Sequence, residues 1–236
     1  MTNNIFDTRV QNLILNTNGV TDIDTLELVQ DVHAVWSSLY QGMPVIGPWL
    51  EQRMASLIRS WLPEWCVSSG QVFDPKNPKV RSRSWDLIIY KKIDGLSGLP
   101  PEAFPGAGSP VVPKELCCAV IDTKNSFGDV KDYALQPVFN LMNDATLTQL
   151  DFLGNTISKC VFACMTTGDP ESLEKNGNEY GLNIFVLGKY QSSPVSDAEK
   201  RSLHWTLANS KISPLQRFRK EIESAAQNWL ANSRNV

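Results

Sequence analysis

The sequence predicts an α/β fold in which a mixed central sheet is flanked by helices, with a helical N-terminal extension and a helical C-terminal tail. Three observations carry that expectation. Leu116-Cys117-Cys118-Ala119-Val120-Ile121-Asp122-Thr123-Lys124 is an apolar run without Gly or Pro that ends in charge, as expected of a central strand covered on both faces. Ser84-Trp85-Asp86-Leu87-Ile88-Ile89-Tyr90 is a second run of the same kind. Around them, residues 48–62 and 214–230 space their apolar side chains at helical intervals.

The 236-residue chain is long enough to bury a substantial core. It is expected to form one domain, with its core at about 45–190, an N-terminal extension over 1–44 and C-terminal helices over 195–236. With 42% hydrophobic and 20% charged residues, its composition is that of a globular protein. No apolar run approaches the roughly 20 residues of a membrane span, and residues 1–7 lack the basic-then-apolar pattern of a signal peptide. A cytoplasmic protein without membrane contact is the expectation. The five cysteines (Cys66, Cys117, Cys118, Cys160, Cys164) lie mostly in apolar runs and read as buried reduced thiols. Cys160 and Cys164 have no second Cys or His pair to complete a zinc site. His33 and His204 are the only histidines, which argues against a His-based triad. The formal net charge of −3 excludes a generally basic nucleic-acid coater, but leaves room for a nuclease with a local basic patch.

In chain order, residues 1 to about 20 are polar and Asn-rich. Thr21-Asp22-Ile23-Asp24 opens a helix with capping residues, and Leu28, Val29, Val32 and Val35 lie on its apolar stripe, before Gly42 and Pro44 stop it. A second helix runs from about Pro48, well placed in a first turn, to Leu62. On it Glu51 lies three residues before Met54 and seven before Ile58, on or beside the inward face. It is either a rim carboxylate reaching water or a paired, metal-bound acid. Trp65 to Phe73 reads as a strand that includes Gln71, followed by a turn through Asp74-Pro75-Lys76-Asn77-Pro78. Lys79, Arg81 and Arg83 then alternate with smaller residues up to the Asp86 strand. They form either a solvated edge or a phosphate-facing strip. Residues 94–113 are a Gly/Pro-rich loop, which inside a domain is usually functional or disordered. It joins the two aspartate strands and would leave them adjacent and antiparallel. A helix kinked at Pro137 is expected to about Asn143, then strands over 157–165 and 181–188 with a polar, turn-rich connector between them. A short helix near 196–207 and a longer one from Pro214 to about Leu230 complete the chain.

Side chains alternate along a strand, so Asp122 and Lys124 share a side. A carboxylate and an ammonium at the end of an apolar strand form either a structural ion pair or part of an active site. Two strand-borne aspartates and a lysine are also what a Mg²⁺-dependent phosphodiesterase requires.

Asp86 followed by Asp122-Thr123-Lys124, in this order of elements, resembles the PD-(D/E)XK nuclease superfamily. The run from Ser84 to Tyr90, with Val112-Pro113-Lys114-Glu115-Leu116 leading into the Asp122 strand, is similar to a particular family within it. That family includes the cyclic-trinucleotide-activated endonucleases of bacterial anti-phage defence. Gly47-Pro48-Trp49-Leu50-Glu51, Leu62-Pro63-Glu64-Trp65-Cys66-Val67 and Gly70-Gln71-Val72-Phe73-Asp74 follow the same pattern, so the resemblance spans roughly residues 45–126. The family usually has Glu where this chain has Asp122.

The resemblance implies a restriction-endonuclease-like core and a metal-dependent endodeoxyribonuclease that acts as a defence effector on DNA. It also implies a cyclic oligonucleotide activator and assembly as a homo-oligomer. Asp86 and Asp122, with the carbonyl of Thr123, would bind Mg²⁺ through oxygen, and Mn²⁺ would substitute. Lys124 would orient or deprotonate the water and offset charge. Glu51 would hold a second metal or a metal-bound water, and Gln71, Arg81 and Arg83 are candidate substrate contacts. The alternatives are a site-specific restriction endonuclease and a catalytically silent nuclease fold that serves as a binding or assembly subunit.

Overall fold

In the computed structural model, which describes residues 22–38, 46–91, 111–128, 149–166, 168–190, 205–207 and 212–233, the first helix starts at its capping residue. Asp22 accepts hydrogen bonds from the Thr25 N–H and hydroxyl, both at 2.9 Å, which satisfies an amide that the first turn leaves open. Helix α1 follows over Ile23–Ser38 and α2 over Ile46–Trp61. A hairpin of β1 (Cys66–Asp74) and β2 (Asn77–Tyr90) comes next, then the short β3 (Val111–Pro113). A 3-10 turn over Lys114–Leu116 leads into β4 (Cys117–Ser126). The remaining elements are α3 (Gln149–Leu153), β5 (Ser158–Thr166), α4 (Pro170–Glu179), β6 (Asn183–Tyr190), β7 (Trp205–Leu207) and α5 (Pro214–Ser233).

The strands form one seven-stranded sheet in the order β3-β1-β2-β4-β5-β6-β7. β4 pairs antiparallel with β2 and parallel with β5, and β6 continues the parallel part before β7 closes the edge antiparallel. The sheet is mixed, and its two aspartate strands are antiparallel neighbours. Because β4 lies in the middle, burial of Cys118 to Ile121 is complete. Leu28, Leu50, Met54, Ile58, Phe218 and Ile222 from α1, α2 and α5 cover one face, against Leu87, Ile121, Phe162 and Leu187. On the other face, α3 and α4 bring Leu150, Phe152, Leu153 and Leu173 against Val120, Val161, Ile184 and Val186. Phe218 is the hinge pin of the first layer, its ring 5.3–5.4 Å from those of Phe162 and Phe185.

Several expectations change. The connector after β5 contains α4, capped by Asp169 with Pro170 in its first turn; Leu173 and Gly177 are its buried side, too few for an apolar stripe to stand out. Residues 205–207, expected as helix, are β7, because pairing with β6 outweighs local preference. β2 is longer than expected and places Asp86 well inside the strand. Helices α1 and α5 pack into one core, and Ser213 joins their starts. It caps α5 through the Gln216 N–H (3.1 Å) and donates to Asp22 (3.1 Å). The helix expected to about Asn143 and most of the Gly/Pro-rich loop lie outside the described residues. Among the described residues, no helix is long and apolar enough to cross a membrane.

Helix α4 approaches β6 so closely that a Cβ on Gly177 would stand 2.6 Å from the Leu182 carbonyl oxygen and 2.7 Å from Ile184 Cδ1. The Leu182 N–H also donates to Gly177 O at 2.9 Å, so neither backbone segment can retreat cheaply. Gly177→Ala is expected to cost about 1–3 kcal/mol, seen as a lower urea midpoint with an unchanged slope.

Candidate active site

The site is made by an irregularity in β2. Ser68 pairs with Ile88 and Gly70 with Trp85, so Asp86 and Leu87 together face Ser69 alone. This is a β-bulge, which bends the strand and re-aims a side chain. The packing shows it too. Trp85 belongs to the layer of Ile88 and Val120, while Leu87 belongs to that of Ile89 and Ile121. In an unbroken strand residues 85 and 87 would share a face. Gly70, opposite Trp85, has φ +146°, a conformation that favours glycine.

A second offset follows. Gln71 pairs with Ser84 and Phe73 with Arg81, leaving Ser82 and Arg83 opposite Val72. The fully buried Ser82 hydroxyl repairs the broken ladder: it accepts from the Val72 N–H (2.9 Å) and donates to Arg83 O (2.7 Å).

Five side chains come together here. Leu87 pairs with Ile121 across the β2–β4 ladder, which sets Asp86 beside Asp122, their carboxylates within hydrogen-bonding reach. Asp86 Oδ2 accepts from the Thr123 N–H (2.7 Å) and hydroxyl (3.1 Å). Asp122 is almost fully buried and forms ion pairs with Lys124 Nζ (2.9 Å) and with Arg83. Burial, and then the hydrogen bond and charge of Asp122, push the Asp86 carboxyl up to about 7. For Asp122 burial acts upward as well, but the hydrogen bond from Asp86 and the charges of Arg83 and Lys124 outweigh it and hold the group below its ordinary value. Below neutral pH the pair therefore carries a shared proton, resident mainly on Asp86, which is lost as pH rises through about 7.

Glu51, on α2, lies within electrostatic range of both Asp122 and Lys124. Burial, followed by the Asp122 charge, raises its pKa, and Lys124 lowers it. It makes no direct hydrogen bond to either among the described residues. Gln71 is next to the second bulge but has no polar contact with the aspartates among the described residues. Arg81 turns to the hairpin, its Nε donating to Pro78 O at 3.3 Å. The expected strip of Lys79, Arg81 and Arg83 is thus divided by the bulge, and Arg83 alone joins Asp122. Trp85 escaped the sequence reading as a site residue; its ring lies 4.9 Å from the Arg83 guanidinium carbon. The basic–aromatic spacing of residues 83 and 85 was the available signal.

Among the described residues, no three His, Cys, Asp or Glu side chains converge as ligands. The donor set that does converge is two carboxylates, the half-buried Asp86 and the buried Asp122. Hard oxygen donors of this number fit Mg²⁺ or Mn²⁺, which take a few carboxylates and fill the other positions with water and phosphate oxygen.

No protein-family model matches the chain, and no curated protein matches it. Solved structures do, and two of them carry the comparison. One is the cAAA-bound form of NucC from P. aeruginosa ATCC27853, at 15% identity and TM-score 0.53, covering 88% of this chain and 92% of that one. The other is the cAAA-bound form of NucC from E. coli MS115-1, at 12% identity and TM-score 0.51, covering 88% and 91%. The chain shares their fold. The similarity runs through nearly the whole of each NucC chain.

The paired carboxylates generate a pH dependence. The folded value near 7 for Asp86 lies above its ordinary 3.8, so the folded protein binds that proton more tightly than the unfolded chain does. Its contribution to stability is complete below about pH 4 and is lost as pH rises towards 7. Asp86→Asn keeps an acceptor for Thr123 and removes the charge. It is expected to stabilise the cation-free protein at pH 8 by on the order of 1–3 kcal/mol, with little effect at pH 4. Urea denaturation in EDTA at both pH values reads this; an equal effect at both would contradict it.

Proposed function

We propose that the chain is a divalent-cation-dependent endonuclease that hydrolyses DNA phosphodiester bonds, an effector of anti-phage defence activated by a cyclic oligonucleotide. The observation that carries the reading is the juxtaposition of Asp86 and Asp122 across β2 and β4, with Lys124 on Asp122. A structural ion pair requires only Asp122 and Lys124. It gives no reason for a second carboxylate to be re-aimed by a bulge into the same buried place, at a cost in electrostatic energy.

Asp86 and Asp122 would hold the cation. When bound, it supplies counter-charge to the phosphate and lowers the pKa of water. Lys124, side chain about a third exposed beside the buried Asp122, presents an ammonium towards incoming substrate. There it orients the attacking water and offsets the charge that develops on the phosphate oxygens. Thr123 fixes the Asp86 carboxylate through two donors, so that group does not need to reorganise during the reaction. Glu51, with its raised pKa, is poised at the rim to hold a water.

Activation by a cyclic oligonucleotide draws on two supports, and assembly as a homo-oligomer on the first of them. The ordered motifs over residues 45–126 resemble the cyclic-trinucleotide-activated family, and the two NucC structures sharing this fold are cAAA-bound.

Incubation of plasmid DNA with the protein, Mg²⁺ and a panel of cyclic oligonucleotides tests the reading. Cleavage is expected with one panel member and is abolished by EDTA. Asp122→Ala and Lys124→Ala should each lower the rate by at least about 100-fold. Cleavage that survives both substitutions would place the chemistry elsewhere. The absence of both cleavage and Mg²⁺ binding would overturn the enzyme reading in favour of a silent assembly subunit.

A further inference from the structure

We propose that Arg83 is an internal counter-ion that competes with a divalent cation for Asp122 and passes to the substrate phosphate once the cation takes the carboxylate. This inference rests on the nuclease reading and adds a coupling between cation and nucleic acid that the reading does not contain.

One oxygen of Asp122, Oδ2, is the acceptor for both Arg83 Nη2 and Lys124 Nζ, although the Asp122 side chain is only 3% exposed. The two cations reach it differently. Lys124 stands two residues away on the same strand and shares the Asp122 side of β4. Arg83 comes from β2 and arrives there because Ser82 and Arg83 are extruded opposite Val72. Its guanidinium carbon lies 4.9 Å from the centre of the Trp85 ring. An aromatic face attracts a cation whether or not a carboxylate is engaged, so Trp85 gives Arg83 a second foothold. The Arg83 side chain is 28% exposed, which leaves it a side towards solvent.

Charge accounting sets the consequence. With Arg83 and Lys124 already on Asp122, a divalent cation meets a carboxylate whose charge two positive groups already counter. A phosphodiester brings the negative charge that relieves this, and the planar guanidinium fork matches two phosphate oxygens. Cation and nucleic acid then bind with positive coupling, each raising the affinity of the other. Without nucleic acid the cation site is weak, and Arg83 keeps it so.

Calorimetric titration of Mn²⁺ into wild type, Arg83→Gln and Arg83→Met tests this, with Asp122→Ala as the control. Arg83→Met keeps an apolar stem against Trp85. An adjacent opposite charge changes the affinity of a carboxylate for its proton by about tenfold or more, and a metal cation feels the same field. Without DNA, both Arg83 variants are therefore expected to bind Mn²⁺ at least about tenfold more tightly than wild type. Adding a hydrolysis-resistant phosphorothioate duplex should tighten Mn²⁺ binding to wild type and do so much less for the variants. Equal or weaker Mn²⁺ binding by folded Arg83 variants, with wild type binding and Asp122→Ala not, overturns the inference and leaves the nuclease reading standing. Absence of Mn²⁺ binding in every protein overturns both. If circular dichroism shows both variants unfolded, wild type decides alone: Mn²⁺ affinity that does not rise with the duplex overturns the inference.

Discussion

Two carboxylates set side by side in a buried sheet repel each other, and the arrangement around Asp86 and Asp122 answers that repulsion. Asp122 is almost fully buried and Asp86 partly so, which limits screening by water, and the structure relieves the repulsion in three ways. A proton stays on Asp86 up to about neutral pH, Thr123 donates twice to the same carboxylate, and Arg83 and Lys124 both engage Asp122. The approach of Arg83 requires a backbone position that an ordinary strand pair would not supply, whereas Lys124 reaches Asp122 by plain alternation along β4. The residual strain is the kind of feature that persists where a bound cation or a phosphate group offsets it.

The bulges convert this electrostatic demand into geometry. A regular β2 would put Arg83 and Asp86 on opposite faces, because they stand three positions apart. Offsets at Ser82–Arg83 and at Asp86–Leu87 allow both to reach Asp122. The cost in lost ladder bonds is contained locally: Ser82 takes up the Val72 amide, and Gly70 adopts the backbone angle that the bend requires. From β4 through β6 the parallel ladder runs without a register shift, giving the bent strand a rigid neighbour against which to hold its geometry.

The layers of helices matter for the same reason. Helices α1, α2 and α5 share one apolar core with β4 to β6, and Ser213, Thr25 and Asp22 tie the starts of α1 and α5 together. Glu51 is carried towards the site because its neighbours Leu50 and Met54 are completely buried under the sheet, which leaves the acid at the rim. That NucC structures share the architecture at 12–15% identity is intelligible in these terms. A layered core accepts many apolar substitutions that preserve volume and pattern, so the path of the chain persists after residue identities have diverged.

The sequence by itself determined the class of fold, the two aspartate strands, their antiparallel adjacency and the identities of Asp86, Asp122 and Lys124 as chemical candidates. These were legible because they rest on local signals: apolar runs long enough to span a buried sheet, charges at run ends, and turn residues between them. Helix α4 and strand β7 were not legible. α4 has only a narrow buried side, and β7 is three residues whose conformation is decided by the edge of β6. The positions of Arg83, Arg81 and Gln71 relative to the aspartates were decided only by the tertiary structure. Strand alternation puts Arg81 and Arg83 together, whereas the bulge separates them, sending one to the hairpin and the other to Asp122. A bulge depends on which residue of β1 stands opposite which residue of β2. Pairing between strands is a non-local property, and one extra residue in a pairing changes which side chains meet without leaving a periodic mark in the sequence.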